Sequence, residues 1–289
     1  MSRSEVGRDT LGPARLEVDS VVVAFGGLQA IAGADLYAEP GSIVGLIGPN
    51  GSGKTTMLDV ISGLVSPDAG TVRLDGESLV EYLPEERVAL GVVRSFQDCR
   101  LFPELRVEDV LLLTQDALRP VGVLSSTLQM PWARRSERSK RAALDQVMAA
   151  FGIERFRHHR IAHLSTGTRR VVDLASIVLA RPRLLLLDEP TAGIAQREAE
   201  AFVPLLRRLH EVADTTIVLV EHDVPLVFEL STKVVMMETG TVVSSGTPAE
   251  VRHDPRALAA YLGASDEALA VSGAAPAPSP APGPAPLGE

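Results

Sequence analysis

The segment Gly48-Pro49-Asn50-Gly51-Ser52-Gly53-Lys54-Thr55, with Thr56 behind it, constrains this chain more than any other. The apolar run Ser42 to Ile47 precedes it and a helix-patterned stretch begins at Lys54. A short apolar run bounded by glycines reads as a buried strand. The residues from Lys54 to about Ile61 read as a helix, closed by Ser62-Gly63. Strand, glycine-rich turn and helix in that order form a phosphate-binding loop. Glycines let the backbone fold tightly with its N–H groups turned inward. Those groups and the positive end of the helix attract phosphate oxygens. In this pattern Lys54 reaches β- and γ-phosphates and the Thr55 hydroxyl ligates Mg2+. The motif alone fits many nucleotide enzymes.

A second apolar run, Leu184 to Leu187, delivers Asp188-Glu189-Pro190 to its C-terminal end. Open α/β sheets bind ligands at such strand ends. Asp188 suits a Mg2+ ligand, direct or through water, and Glu189 is placed to polarise an attacking water. Asp-Glu-Pro also suits a helix start, so both readings stand at this point.

The remainder of the chain alternates strand and helix patterns around a helical middle. Strands are expected over Leu16 to Val23, Ala34 to Ala38, Gly70 to Asp75, Gly91 to Arg94 and Thr215 to Val220. Lys233 to Glu238 and Gly240 to Ser245 form an expected hairpin. Between Val107 and His159, helical periodicity replaces strand signals, and Leu144, Val147, Met148 and Phe151 share one apolar stripe. Further helices are expected over Gly167 to Ala180 and Arg197 to Val212. Pro204 inside the latter implies a kink or a late start. Residues 1–14 and 264–289 read as tails, the second because its Ala/Pro/Gly/Ser composition cannot bury enough apolar surface to offset ordering entropy.

A net charge of -9 over 289 residues argues against an electrostatic nucleic-acid binder. The single cysteine, Cys99, excludes an internal disulfide. No apolar run approaches the ~20 residues of a membrane helix and no signal peptide is visible. The expectation is a cytosolic chain whose membrane spans, if it works at a membrane, come from other subunits.

Three further features are individually weak and informative in order. Gln97 lies in Ser95-Phe96-Gln97. Leu164-Ser165-Thr166-Gly167-Thr168-Arg169-Arg170 opens a helix. His222 follows the last apolar strand. The sequence of phosphate loop, glutamine, helical insert, Leu-Ser-x-Gly turn, Asp-Glu and histidine resembles the ATP-binding subunits of ABC transporters over 15–263. The resemblance implies an α/β P-loop NTPase core with an N-terminal antiparallel β subdomain and an inserted α-helical subdomain at about 107–160. It implies ATP and Mg2+ at the interface of a head-to-tail dimer. Each ATP then lies between one subunit's Gly48–Thr56 segment and the other's Ser165 and Gly167. It places Gln97 beside Thr55 and Asp188 at the metal, Glu189 and His222 at the cleaved phosphoryl, and Phe25 against adenine. Phe25 read on its own also suits a buried strand end. The chain departs from the family pattern at Thr166 and Thr168, where glycine and glutamine are usual. It departs again at Ala195, in Ala192-Gly193-Ile194-Ala195, where an aspartate is usual.

A finer resemblance, to ATPase subunits of branched-chain amino acid importers, rests on four stretches. They are Phe25-Gly26-Gly27-Leu28-Gln29-Ala30, Phe96 to Leu105 with Leu101-Phe102-Pro103-Glu104, the long insert with its basic run Arg134 to Arg141, and Gly246-Thr247-Pro248 through Tyr261-Leu262-Gly263. The basic run is either a solvated helix face or a contact for lipid or permease. This resemblance implies a second ATPase subunit (in a heterodimer or a homodimer), two permeases, an external solute-binding protein and a peripheral place on the cytoplasmic membrane face. Import of another small solute such as urea or an amide, export, or a non-hydrolysing regulatory role are the alternatives.

Overall fold

The chain is seen in a computed structural model that describes residues 12–95, 101–118, 131–192 and 196–262. Three apolar runs that the sequence marks as buried strands become β3 (Ile43–Ile47), β7 (Leu184–Asp188) and β8 (Thr216–Val220), buried at every position. They join β6 (Val92–Arg94), β9 (Lys233–Glu238) and β10 (Thr241–Gly246) in a six-stranded sheet of order β10-β9-β3-β8-β7-β6. All neighbouring pairs are parallel except β9 with β10, which form the expected hairpin.

Both faces of the central strands are covered, as parallel strands require. The two-residue period of a strand divides their side chains between two cores. Leu184, Leu186, Val218 and Val220 face one apolar cluster, and Leu185, Leu187, Ile217 and Leu219 face the other. The first cluster is shared with α1 (Lys54–Ser62) and with a four-stranded antiparallel sheet. That sheet has the order β2-β1-β4-β5, from β1 (Leu16–Phe25), β2 (Leu28–Ala38), β4 (Ala69–Leu74) and β5 (Glu77–Ser78). The second cluster is covered by helices: α3 (Val107–Leu118), α4 (Pro131–Phe151), α5 (Thr166–Leu179) and α6 (Gln196–Ala213). The stripe Leu144, Val147, Met148 and Phe151 is buried there with Val107, Val110 and Leu111.

Several boundaries differ from the sequence reading. β2 begins at Leu28 rather than Ala34, because Gly26 and Gly27, at φ 54° and 91°, turn the chain tightly enough to pair Phe25 with Leu28. α6 begins at Gln196 with Pro204 inside it, so the proline does not delay its start. Ala14, the last residue of the expected N-terminal tail, is fully buried: its N–H donates to the Arg183 carbonyl, and its own carbonyl accepts from Thr216 Oγ1. The other tail residues, 1–11 and 264–289, lie outside the described residues, as does Gly263. Two short helices had no periodic signature, α2 (Pro84–Ala89) and α7 (Val224–Leu230). Their caps are local. Glu86 accepts the Leu83 N–H at 2.9 Å and Asp223 accepts the Leu226 N–H at 3.1 Å. Two more, α8 (Pro248–His253) and α9 (Pro255–Leu262), close the described chain, the first through a Thr247/Glu250 capping box.

Candidate functional site

β3, β8 and β7 are adjacent and parallel, so their C-terminal ends open on one edge of the sheet. Gly48–Gly53 leaves the first, Glu221 and His222 the second, Glu189 the third. Topology therefore gathers chemistry that is spread over most of the sequence, where α/β sheets place ligands.

The loop is shaped by close backbone approaches. A Cβ on Gly48 would stand 2.1 Å from the Met237 carbonyl oxygen, and one on Gly53 would stand 2.6 Å from that of Ala30. Gly53, at φ 100°, is also the residue from which α1 starts. From beneath, the Gly240 N–H donates to the Ser52 carbonyl at 3.1 Å. Lys54 is buried, and its Nζ donates to the carbonyls of Gly48 at 2.8 Å and Pro49 at 2.9 Å. The loop's own oxygens thus hold the ammonium where phosphate oxygens can replace them. Burial pushes the Lys54 ammonium below its ordinary value, and the negative charges of Glu189 and Asp188 oppose that shift. The Ser52 hydroxyl is buried in the loop without a hydrogen-bond partner among the described residues.

Asp188 ends β7 in a buried ion pair. Arg94 of β6 donates to Asp188 Oδ2 at 2.8 Å and pairs also with Asp59 of α1. Asp188 Oδ1 is buried with no hydrogen-bond partner among the described residues, which natural interiors rarely leave so. That orphaned oxygen, and the hydroxyl that Thr55 carries at the start of α1, are hard-oxygen donors of the kind Mg2+ takes.

Glu189 occupies the left-handed region at φ 47°, and its N–H donates to the Val220 carbonyl at 2.9 Å. Its Oε1 stands 2.8 Å from His222 Nε2, and the histidine is half exposed. Next to His222, Glu221 is buried and accepts the Thr191 N–H at 2.7 Å, the Thr191 hydroxyl at 2.6 Å and the His222 N–H at 3.2 Å. Burial raises the Glu221 carboxyl, and the three hydrogen bonds act against that rise. Pro190 is followed by a turn rather than by a helix start, so the helix-cap reading of Asp-Glu-Pro does not hold.

The other expected site residues belong to separate elements, β1 and α5. Phe25, at the end of β1, is 51% exposed, so the buried strand-end reading fails. Ser165 caps α5, its Oγ accepting the Thr168 N–H at 3.2 Å and lying 2.9 Å from Thr168 Oγ1. The departure Thr168 is therefore a hydroxyl partner for Ser165. Ser165, Gly167 and Phe25 share no hydrogen bond with the loop, Glu189 or His222 among the described residues. Gln97, Cys99 and the departure at Ala195 lie outside the described residues. Arg94, Arg170 and Glu221 escaped sequence reasoning. The one available signal was a charged residue at the edge of an apolar run, which a surface residue shares.

Glycine loop, buried lysine, strand-end acid pair and histidine on this sheet define a P-loop nucleoside triphosphatase. The sequence matches the ABC transporter family over residues 31–192 and the pattern described as branched-chain amino acid ATP-binding cassette transporter over residues 241–267. It is 36% identical over 86% of its length to the high-affinity branched-chain amino acid transport ATP-binding protein BraF of Pseudomonas aeruginosa, covering 97% of that protein. The same figures hold for LivG of Escherichia coli K12, of the same description. The fold matches the ADP conformation of the cassette MJ1267 with a TM-score of 0.72 at 25% identity, over 86% of this chain and 99% of that one. This chain belongs to the ATP-binding subunits of ABC transporters, in the branched-chain amino acid group, and is an ATPase of that family. Among the described residues no helix is long and apolar enough to cross a membrane.

Proposed function

We propose that this chain binds ATP with Mg2+ and hydrolyses it to drive import of branched-chain or related amino acids, from the cytoplasmic face of a membrane. The observation that carries the hydrolytic reading is the 2.8 Å contact of Glu189 Oε1 with His222 Nε2, just past the ends of β7 and β8 on the sheet edge where the phosphate loop leaves β3. In this reading Lys54 Nζ exchanges the Gly48 and Pro49 carbonyls for β- and γ-phosphate oxygens, and the Gly48–Thr56 segment supplies N–H donors. Thr55, Asp188 and Gln97 would hold Mg2+, which neutralises phosphate charge when bound. Glu189 accepts the proton of the attacking water, while His222 orients that carboxylate and contacts the γ-phosphate. Phe25, exposed at its strand end, offers a ring for adenine.

Ser165 and Gly167 of a second subunit complete the site in a head-to-tail dimer. That second ATPase subunit is either a copy of this chain or a related one. Two permeases supply the membrane path and an external binding protein the solute. Nucleic acid is not a partner. The identity to BraF and LivG over nearly their whole length supports the solute class.

The test is reconstitution of the chain with its neighbouring permease, ATPase and binding-protein gene products in vesicles. Leucine-loaded binding protein is expected to stimulate both ATP hydrolysis and leucine uptake. Stimulation by urea or amides alone, or ATP-driven movement out of the cytoplasmic side, would replace the solute or the direction.

A further inference from the structure

Arg170 lies on the second turn of α5, five residues after Ser165, and is almost fully buried. Its Nε donates to the Pro190 carbonyl at 2.8 Å and its Nη2 to the Glu189 carbonyl at 3.1 Å. From the other side, Glu221 holds the N–H and hydroxyl of Thr191 at 2.7 and 2.6 Å. Residues 189–191 are therefore gripped at consecutive backbone groups by two buried charged side chains from two different elements. What the grip holds is unusual. Glu189 sits at φ 47°, a region that residues other than glycine rarely occupy and that persists only where surroundings over-determine it. A peptide released from those bonds relaxes toward ordinary φ, and the Glu189 carboxylate moves with it, away from His222.

We infer that Arg170 is a positioning residue for the hydrolytic carboxylate: with Glu221 it clamps residues 189–191 so that Glu189 stays in its left-handed conformation facing His222. The inference rests on Glu189 being the proton acceptor proposed above. It gives α5 two duties. Its first residues face the partner's nucleotide in the proposed dimer, and its second turn holds this chain's own catalytic acid. A bidentate, planar guanidinium suits this task because it reaches two successive carbonyls at once, which an ammonium does not.

The experiment compares Arg170→Lys with the parent in the full chain. Lysine keeps a positive charge beside Asp173, whose carboxylate lies 3.7 Å from Arg170 Nη1, but loses the fork. Should the lysine variant fold poorly, Arg170→Met/Asp173→Asn removes both charges together and asks the same question. Thr191→Val tests the opposing jaw. Expected are faster hydrogen exchange of the Glu189, Thr191 and Ala192 amides, by about fivefold or more, and a kcat lowered about 10- to 100-fold. The dissociation constant for a fluorescent ATP analogue should stay within about twofold of the parent. A merely structural arginine would lower stability and leave that split unmoved. Unchanged exchange at 189–192 in both Arg170 variants overturns the inference, as does a kcat equal to the parent's. An inactive parent with normal exchange differences would count against the hydrolytic proposal and leave the clamp standing.

Discussion

His222 Nε2 stands 2.8 Å from Glu189 Oε1 across 33 residues of sequence, because β7 and β8 run parallel and end side by side. Glu189→Gln keeps the size of the side chain and removes its basicity. ATP hydrolysis is expected to fall about 10²- to 10⁴-fold, the usual worth of a positioned general base, with ATP binding retained. His222→Ala should fall within the same range. Phosphate release under saturating ATP measures both, and a Gln variant with parental turnover would remove Glu189 from the mechanism.

Lys54 is held by two loop carbonyls at 2.8 and 2.9 Å. Lys54→Ala removes the cation that those carbonyls release to phosphate. A hydrogen bond to a charged group contributes about 1.5–3 kcal/mol, so ATP affinity should weaken about 10- to 150-fold. Titration with a fluorescent nucleotide reads the loss, and equal affinity in the variant contradicts the phosphate-binding role.

Gly53→Ala places a methyl group 2.6 Å from the Ala30 carbonyl oxygen at a φ of 100°. The contact is with backbone, so no side chain can rotate away. Together, left-handed strain and crowding should cost about 1–3 kcal/mol of stability. Thermal unfolding should show a lower midpoint, and nucleotide affinity should fall with it because the loop must shift. A midpoint equal to the parent's would mean that the loop accommodates the methyl group.

Asp173 is partly buried in α5, and desolvation raises its carboxyl from the ordinary 3.8 to about 6, more than the nearby Arg170 lowers it. Below about pH 4 the group is protonated in both folded and unfolded chains and contributes nothing. As pH rises from about 4 to about 6 the unfolded chain gives up this proton before the folded chain does, so stability is lost over that window. Asp173→Asn removes that loss. The variant should exceed the parent by up to ~3 kcal/mol at pH 7.5, with the gap narrowing toward pH 5. Denaturant unfolding at the two pH values checks it, and a gap that widens at the lower pH would reverse the sign.

The phosphate loop, the acid pair and the helical insert were legible in the sequence because each is a local pattern. A glycine-rich turn needs its glycines wherever the rest of the chain goes, and the stripe Leu144, Val147, Met148 and Phe151 follows the period of a helix. The order Gln97, Ser165, Glu189, His222 added the family. What remained hidden was non-local. Arg94 meets Asp59 and Asp188, and Arg170 meets the carbonyls of Glu189 and Pro190, across separations that no periodicity encodes.

By itself the sequence determined the glycine-lysine loop pattern and which acids are available, since those are properties of residue types at short spacing. Only the tertiary structure decided that β8 lies between β3 and β7, which brings His222 to Glu189 and both to the loop. It also decided the conformation of Glu189. A φ of 47° is unfavourable for an isolated glutamate, and here it is maintained by bonds from distant elements, namely the Val220 carbonyl and Arg170.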